Sequence, residues 1–140
     1  MNNNFIEVEE FLNQPIDIQR VFIDWWEPEI GDLFIWIKND DEYEHDLRKL
    51  ECCNSFNIVK MTKDFKGINE GDRIPLLTEG QLRQFIEDKD GEKIQFEYYF
   101  KIGYSILLFD SEGNNKKTFD CLGDNLLQAY WKVACEIAKG

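Results

Sequence analysis

Apolar side chains recur at three- and four-residue spacing up to Pro28, and this spacing predicts two consecutive helices. The first helix covers residues 5–12 with Asn4 as its N-cap, and the second starts at Pro15 and ends before Pro28. Both prolines mark boundaries, because a proline fits the first turn of a helix but interrupts its interior. The apolar faces consist of these residues: Phe5, Val8, Phe11 and Leu12, then Ile18, Val21, Phe22, Trp25 and Trp26.

The next segment changes from a helical to an extended pattern. Residues 32–38 (DLFIWIK) are rich in aromatic and β-branched side chains, which predicts a buried strand. Residues 39–55 begin with a run of charges and then place apolar side chains at helical spacing, which predicts a short exposed helix. Residues 56–61 are again typical of a strand, and a polar loop is expected to follow as far as Asp72.

The clearest local signal is a helix start at Thr78. Thr78 and Gln81 form the Thr-x-x-Gln pattern of a capping box, in which each side chain bonds to the other residue's backbone N–H. Leu77 and Leu82 stand on either side of the cap at the positions of a hydrophobic staple. Gly91 is the expected stop of this helix.

Three strands are predicted after this helix, over residues 94–101, 104–110 and 116–122. The first of them alternates strictly between apolar and polar side chains, which is typical of a strand with one buried face. The side chains predicted to be buried are Ile94, Phe96, Tyr98 and Phe100.

The chain closes with a predicted helix over residues 125–138, capped by Asp124 or Asn125. Apolar side chains surround most of this helix and leave only a narrow polar stripe. Tyr130 and Trp131 point in different directions, so burying both requires cover from more than one sheet face. The N-terminal helices, a second copy of the chain or another partner are the alternatives for that cover.

These elements together predict an α+β fold: a mostly antiparallel sheet of four to five strands with the N-terminal helices and the C-terminal helix packed on it. A length of 140 residues with 43% hydrophobic residues fits a single domain over residues 1–140 that buries a sizeable core. The four cysteines show no CxxC spacing, so we expect thiols that mostly pack as small core residues.

Charge narrows the range of partners. The net charge is −12, and half of the 28 acidic residues but only 4 of the 16 basic ones lie in residues 1–51. Such a field repels phosphates, so direct binding to nucleic acid or to an anionic membrane is not expected. The sequence shows no signal peptide and no apolar run long enough to span a bilayer, which predicts a cytoplasmic protein.

Motifs that carry chemistry are sparse. His45 is the sole histidine and stands in an acidic run that lacks the glycine and the alternate spacing of known cation loops, so we interpret the run as solvated charge. The sequence has no phosphate-binding loop, no GxSxG and no HExxH pattern, and we expect no metal and no cofactor. A small metal-dependent hydrolase that uses Asp40, Asp41, Glu44 and His45 remains the enzymatic alternative.

Binding to another protein is the function that these exclusions favour. Tryptophan and tyrosine are frequent anchors of protein interfaces, and exposed carboxylates attract basic partners. The residues predicted to contact a partner are Trp25, Trp26, Asp40, Asp41, Glu42, Glu44, Asp46, Tyr130 and Trp131.

The segments IPLLTEGQLRQFIEDK and FDCLGDNLLQAYWKVACEIAKG resemble short uncharacterised proteins encoded by bacteriophages and prophages, mainly of low-GC Gram-positive hosts. Those proteins combine a Pro-Leu helix start and a Gln-Leu pair with a hairpin and a closing helix of the type L-x-x-A-h-W. The likeness covers residues 74–138, and it carries no established activity. The residues that match are Pro75, Leu76, Gln81, Leu82, Leu127, Ala129, Tyr130 and Trp131.

The resemblance implies an accessory protein in the cytosol of a bacterial host, with a host or phage protein as its partner. Its acidic N-terminal half would then imitate the charge of nucleic acid and inhibit a host defence factor. A homo-oligomeric structural or ligand-sequestering protein is the second alternative beside the hydrolase.

Overall fold

The computed structural model describes residues 4–40, 45–54, 72–90 and 93–140. In this part of the chain the protein is α+β, as the sequence predicts. The chain divides into two compact units: an N-terminal unit, Glu7–Leu76, and a C-terminal unit, Leu77–Gly140 together with Met1–Ile6. The single domain expected over residues 1–140 stays a prediction beside this division.

The two predicted N-terminal helices are present, as α1 (Val8–Leu12) and α2 (Ile16–Trp25). The first is shorter than predicted, and Asn4 does not cap it. Phe5 forms a bridge with Thr78 and the N–H of Ile6 donates to the carbonyl of Leu77 at 2.8 Å, both within the C-terminal unit. This pairing holds the backbone extended before Glu7, so the helix begins later than its apolar spacing suggests.

Buried aromatic and polar contacts hold α1 and α2 together. The rings of Phe11 and Phe22 lie 6.1 Å apart, and both are buried. The buried amide of Gln19 donates to the carbonyls of Leu12 and Gln14 at 3.1 and 2.7 Å. The side chain of Gln19 therefore donates to two carbonyls at the turn between the helices.

The N-terminal unit also contains a three-stranded antiparallel sheet in the order β2-β1-β3. Its strands are β1 (Leu33–Asp40), β2 (His45–Cys52) and β3 (Asp72–Pro75). The helix predicted over residues 39–55 is wrong, because β2 pairs with β1 along its whole length, from Leu33↔Cys52 to Asp40↔His45. Cross-strand pairing overrides a local spacing that favoured a helix. The strand predicted over residues 56–61 lies outside the described residues.

The C-terminal unit contains α3 (Glu79–Asp90), β4 (Lys93–Tyr99), β5 (Gly103–Phe109), β6 (Asn115–Phe119) and α4 (Leu126–Ala138). The strands form a second antiparallel sheet in the order β4-β5-β6. The expected single sheet of four to five strands is therefore replaced, within the described residues, by two sheets of three. Periodicity along a sequence predicts strands but does not reveal which strands pair.

Both predicted helix caps of the C-terminal unit are confirmed. Thr78 Oγ1 accepts from the N–H of Gln81 at 3.2 Å, and Gln81 Oε1 accepts from the N–H of Thr78 at 2.9 Å, which completes the capping box. Leu77 and Leu82, the staple positions, are fully buried. At α4 the cap is Asn125, whose Oδ1 accepts from the N–H of Gln128 at 3.0 Å.

Removing the capping hydroxyl is expected to destabilise the protein. Thr78→Ala should lower the free energy of unfolding by about 0.5–2 kcal/mol, because the N–H of Gln81 loses its acceptor. Urea denaturation followed by circular dichroism measures the change. Ser111→Ala, at an exposed loop position, is the control and should leave the midpoint unchanged. Equal midpoints for Thr78→Ala and the wild type would contradict the assigned cap.

Candidate functional site

The most exposed apolar side chains of the C-terminal unit belong to the hairpin of β4 and β5. The two strands pair without interruption from Lys93↔Phe109 to Tyr99↔Gly103. The turn between them is short: the N–H of Ile102 donates to the carbonyl of Tyr99 at 2.9 Å, and Lys101 adopts a positive φ of 68°. This turn directs the intervening side chains toward solvent.

Five large side chains of this hairpin are exposed, and we call them the hairpin surface. Their exposed fractions are Phe96 45%, Tyr98 51%, Tyr99 46%, Phe100 80% and Ile102 61%. The alternation predicted Phe96, Tyr98 and Phe100 to be buried, and this prediction is wrong. Only Ile94, at 7%, has the expected burial on that face of β4.

The C-terminal helix explains where burial stops along β4. Phe96 is in edge contact with Tyr130 of α4, at 6.5 Å between ring centroids, and with Tyr104 of β5, at 6.1 Å. The ring of Tyr98 packs against Tyr104 at 4.9 Å, and its hydroxyl donates to Asp124 at 3.4 Å. The side chains therefore support one another although they remain half exposed, which lowers the conformational entropy that they lose on binding.

A close backbone approach anchors the base of the turn. The N–H of Tyr104 donates to the carbonyl of Gly123 at 2.8 Å, and the N–H of Leu122 donates to the carbonyl of Tyr104 at 3.0 Å. Gly103 and Gly123 form a parallel bridge at the same place. These hydrogen bonds join the hairpin to the segment that leads into α4. The exposed end of the hairpin therefore has a defined conformation before any partner binds.

Charged side chains border the hairpin surface. The nearby Asp124 carboxylate raises the pKa of Tyr98, and the hydrogen bond that Tyr99 donates to Glu97 raises the pKa of Tyr99. Both phenols therefore stay neutral at physiological pH. The ammonium of Lys101 lies 5.7 Å from the centroid of the Phe100 ring. The surface thus combines apolar rings with hydroxyl donors, a composition typical of protein interfaces.

The predicted tryptophan pair belongs to the core of the N-terminal unit. Trp26 is buried beside Phe34 and Cys53, and its Nε1 donates to Asp32 at 3.1 Å. Trp25 is partly buried against the same cluster. The helix α2 ends at Trp25, and Trp26 already has an extended backbone. Only Trp25 keeps part of its ring at the surface.

The predicted contact residues of the C-terminal helix are buried as well. Tyr130 is 1% exposed and Trp131 is 5% exposed, so neither side chain is offered to a partner. Burial is the largest cause that raises the pKa of Tyr130. Ala134, on the same helix, is fully buried. The exposed aromatic side chains of this unit therefore lie on the hairpin of β4 and β5 and not, as the sequence predicts, on α4.

The acidic run is described only in part. Asp40 ends β1 and pairs with His45, and Asp46 in β2 pairs with Asn39. Asp41, Glu42 and Glu44 lie outside the described residues. Across the residues that are described, no group of three or more His, Cys, Asp or Glu side chains could hold a metal ion.

The cysteines divide into an exposed and a buried pair. Cys52 and Cys121 are exposed, whereas Cys53 and Cys135 are buried. Burial, aided by the charge of Asp32, raises the pKa of the Cys53 thiol to about 11, and burial raises that of Cys135 to about 12. These two thiols stay protonated at neutral pH, which is unfavourable for nucleophilic chemistry.

The sequence did contain a signal for the hairpin surface. Residues 96–100 read FEYYF, and the adjacent aromatic side chains place large rings on both faces of β4 and in the turn. A strand with one buried face needs polar residues on the other, so aromatic residues on both faces indicate more apolar surface than a single helix layer covers.

Comparison with known proteins adds no relative: no protein family, curated protein or solved structure matches the chain. None of the helices in the described ranges is long and apolar enough to cross a membrane.

Proposed function

We propose that this protein is a non-enzymatic accessory protein of phage or prophage type that acts by binding another protein through the hairpin surface. The observation that carries the proposal is the exposure of five large apolar side chains on one hairpin. Exposed apolar side chains that cluster on a folded protein are typical of an interaction surface, because leaving them in water costs free energy. The phage or prophage type is supported only by the resemblance of residues 74–138.

The chemistry of the hairpin surface favours a protein as the partner. Tyrosine and phenylalanine supply large contact areas with few rotatable bonds, and they are enriched at the centres of protein interfaces. Phe100 and Ile102, the most exposed of the five, lie at the tip and are the anchors that we propose. Glu97 and Asp124 at the border would select a partner that carries donors or positive charge around an apolar pocket.

The charge of the N-terminal unit supports a basic partner. Residues 4–36 contain a single base, Arg20, against eight acids, and α1 and α2 lie within this stretch. The acidic residues are Glu7, Glu9, Glu10, Asp17, Asp24, Glu27, Glu29 and Asp32. A basic surface, such as the nucleic-acid-binding site of a host factor, would be attracted by this charge, and a nucleic-acid-mimicking inhibitor works in this way.

Capture of a bacterial partner from lysate tests the proposed function. The double variant Phe100→Ser/Ile102→Ser should lose the captured protein, because both anchors at the tip are removed. Ile16→Ser/Ile30→Ser is the matched control, since these isoleucines are equally exposed but belong to the N-terminal unit. The control should retain the partner. Capture that survives in the tip variant, or that fails equally in both variants, would contradict the role of the hairpin surface.

A further inference from the structure

The two edges of the second sheet differ in how they are protected. β6 carries Lys116 and Lys117, its residues are largely exposed, and its pairing with β5 is irregular at Leu108/Phe109. Lysines and irregular pairing are the features by which proteins keep an edge strand from pairing with another chain. Among the described residues, β4 pairs with β5 in unbroken register, exposes aromatic side chains and carries one lysine, Lys93, at its start, so its edge is less protected than that of β6.

The backbone of β4 has groups that point away from its neighbour. The carbonyl of Ile94 accepts a hydrogen bond from Nη2 of Arg83 at 3.5 Å, so this carbonyl faces outward from the sheet. Backbone groups of a strand alternate between its two sides, and those of Phe96 therefore face outward too. A carbonyl oxygen has two lone pairs, so Ile94 can accept from a further N–H while Arg83 stays in place.

We propose that a second copy of this chain pairs with β4, antiparallel and centred on Gln95, to form a continuous sheet across the two copies. In this register Ile94 of one copy stands opposite Phe96 of the other, and these two residues exchange backbone hydrogen bonds. The two-fold axis between the copies generates a second, identical pair. The inference goes beyond the proposed function, because it concerns the edge of β4 and not the tip of the hairpin.

The charges of β4 are complementary to those of a second β4 in the register centred on Gln95. Lys93 of each copy stands directly opposite Glu97 of the other, and Gln95 stands opposite Gln95 across the axis. Opposite charges at facing positions of an antiparallel pair are stabilising, and like charges are destabilising. A shift of the register to centre on Glu97 would bring that carboxylate opposite its own copy and Lys93 opposite Lys101. The charges of β4 therefore disfavour the register centred on Glu97.

The distribution of charge along the chain permits this association. Residues 77–140 contain 11 acids and 8 bases, so most of the net charge of −12 belongs to the rest of the chain. Lys93 is exposed and Glu97 is partly exposed, so each can reach a neighbouring molecule. The electrostatic repulsion between two acidic copies is therefore smallest in the unit that would carry the contact.

Charge reversal at the edge tests the proposal. Sedimentation velocity of the wild type, from low to high micromolar concentration, should show the mass rise from 16.7 kDa to twice that value. Lys93→Glu and Glu97→Lys should each stay monomeric, because each places like charges opposite each other. The double variant Lys93→Glu/Glu97→Lys restores opposite charges and should recover the dimer. Lys116→Glu, the same change on β6, is the control and should dimerise as the wild type does.

Two results would overturn the proposal. A wild-type mass of 16.7 kDa at every concentration would rule out pairing with a second copy, so that only a strand of another protein could pair with β4. Single reversals that dimerise normally while their circular dichroism remains native would move the contact to another surface. The variant Phe100→Ser/Ile102→Ser should still dimerise although it no longer captures the partner. Loss of partner binding can therefore be distinguished from loss of the dimer.

Discussion

Gly103→Ala should destabilise the protein by roughly 2–4 kcal/mol, since two separate costs add at this position. Its φ of +103° is a conformation that residues with a Cβ rarely adopt. A Cβ built there would also lie 2.7 Å from the carbonyl oxygen of Gly123, and this oxygen is held by the N–H of Tyr104. The backbone cannot yield without breaking the bridge that anchors the hairpin.

Gly113→Ala separates the two costs. Gly113 has a similar φ of +85°, but nothing lies within 4 Å of a Cβ built on it. Only the backbone strain of about 1–2 kcal/mol should therefore appear in this variant. Thermal or urea denaturation compares the two free energies of unfolding. Equal losses would show that the close approach to Gly123 contributes nothing.

Phe85→Ala is expected to cost about 3–5 kcal/mol, because it removes a fully buried ring from α3 and leaves a cavity. Leu82 and Ile86, on the same face of the helix, are also fully buried, so the surroundings have little freedom to collapse into the space. Urea denaturation should show a lower midpoint with an unchanged slope, which reports lost stability and not a change in the unfolded chain.

Phe100→Ala is the matched control, since it makes the same chemical change on a ring that is 80% exposed. Its free energy of unfolding should stay within about 0.5 kcal/mol of the wild type, as for most surface substitutions. A loss as large as that of Phe85→Ala would mean that Phe100 belongs to the core. The hairpin surface would then serve stability instead of binding.

Local signals predicted the elements whose hydrogen bonds close within a few residues. The capping box of Thr78 and Gln81 and the cap at Asn125 are both present, because each joins a side chain to a backbone N–H three residues away. The N-terminal helices were found for the same reason, although pairing of Phe5 with Thr78 shortens the first. Hydrogen bonds between residues that are close in the sequence depend little on how the rest of the molecule packs.

The candidate contact residues were predicted less well than the elements. Residue type predicts Trp26, Tyr130 and Trp131 as contact residues, and all three are buried. Residue type favours both core and interface for these side chains, so it cannot separate the two. For Phe96, Tyr98 and Phe100 the alternation of apolar and polar residues along β4 predicts burial, and all three are exposed.

The sequence by itself determined the α+β class, the acidic character, the helix caps and the position of the hairpin, because these depend on composition and on neighbours along the chain. Only the tertiary structure decided that residues 45–52 form a strand, since eight cross-strand pairs outweigh their helical spacing. It also decided that Phe96, Tyr98 and Phe100 remain exposed. Burial depends on whether another element covers a face, and the reach of α4 over the sheet is set by packing between elements that lie far apart in the sequence.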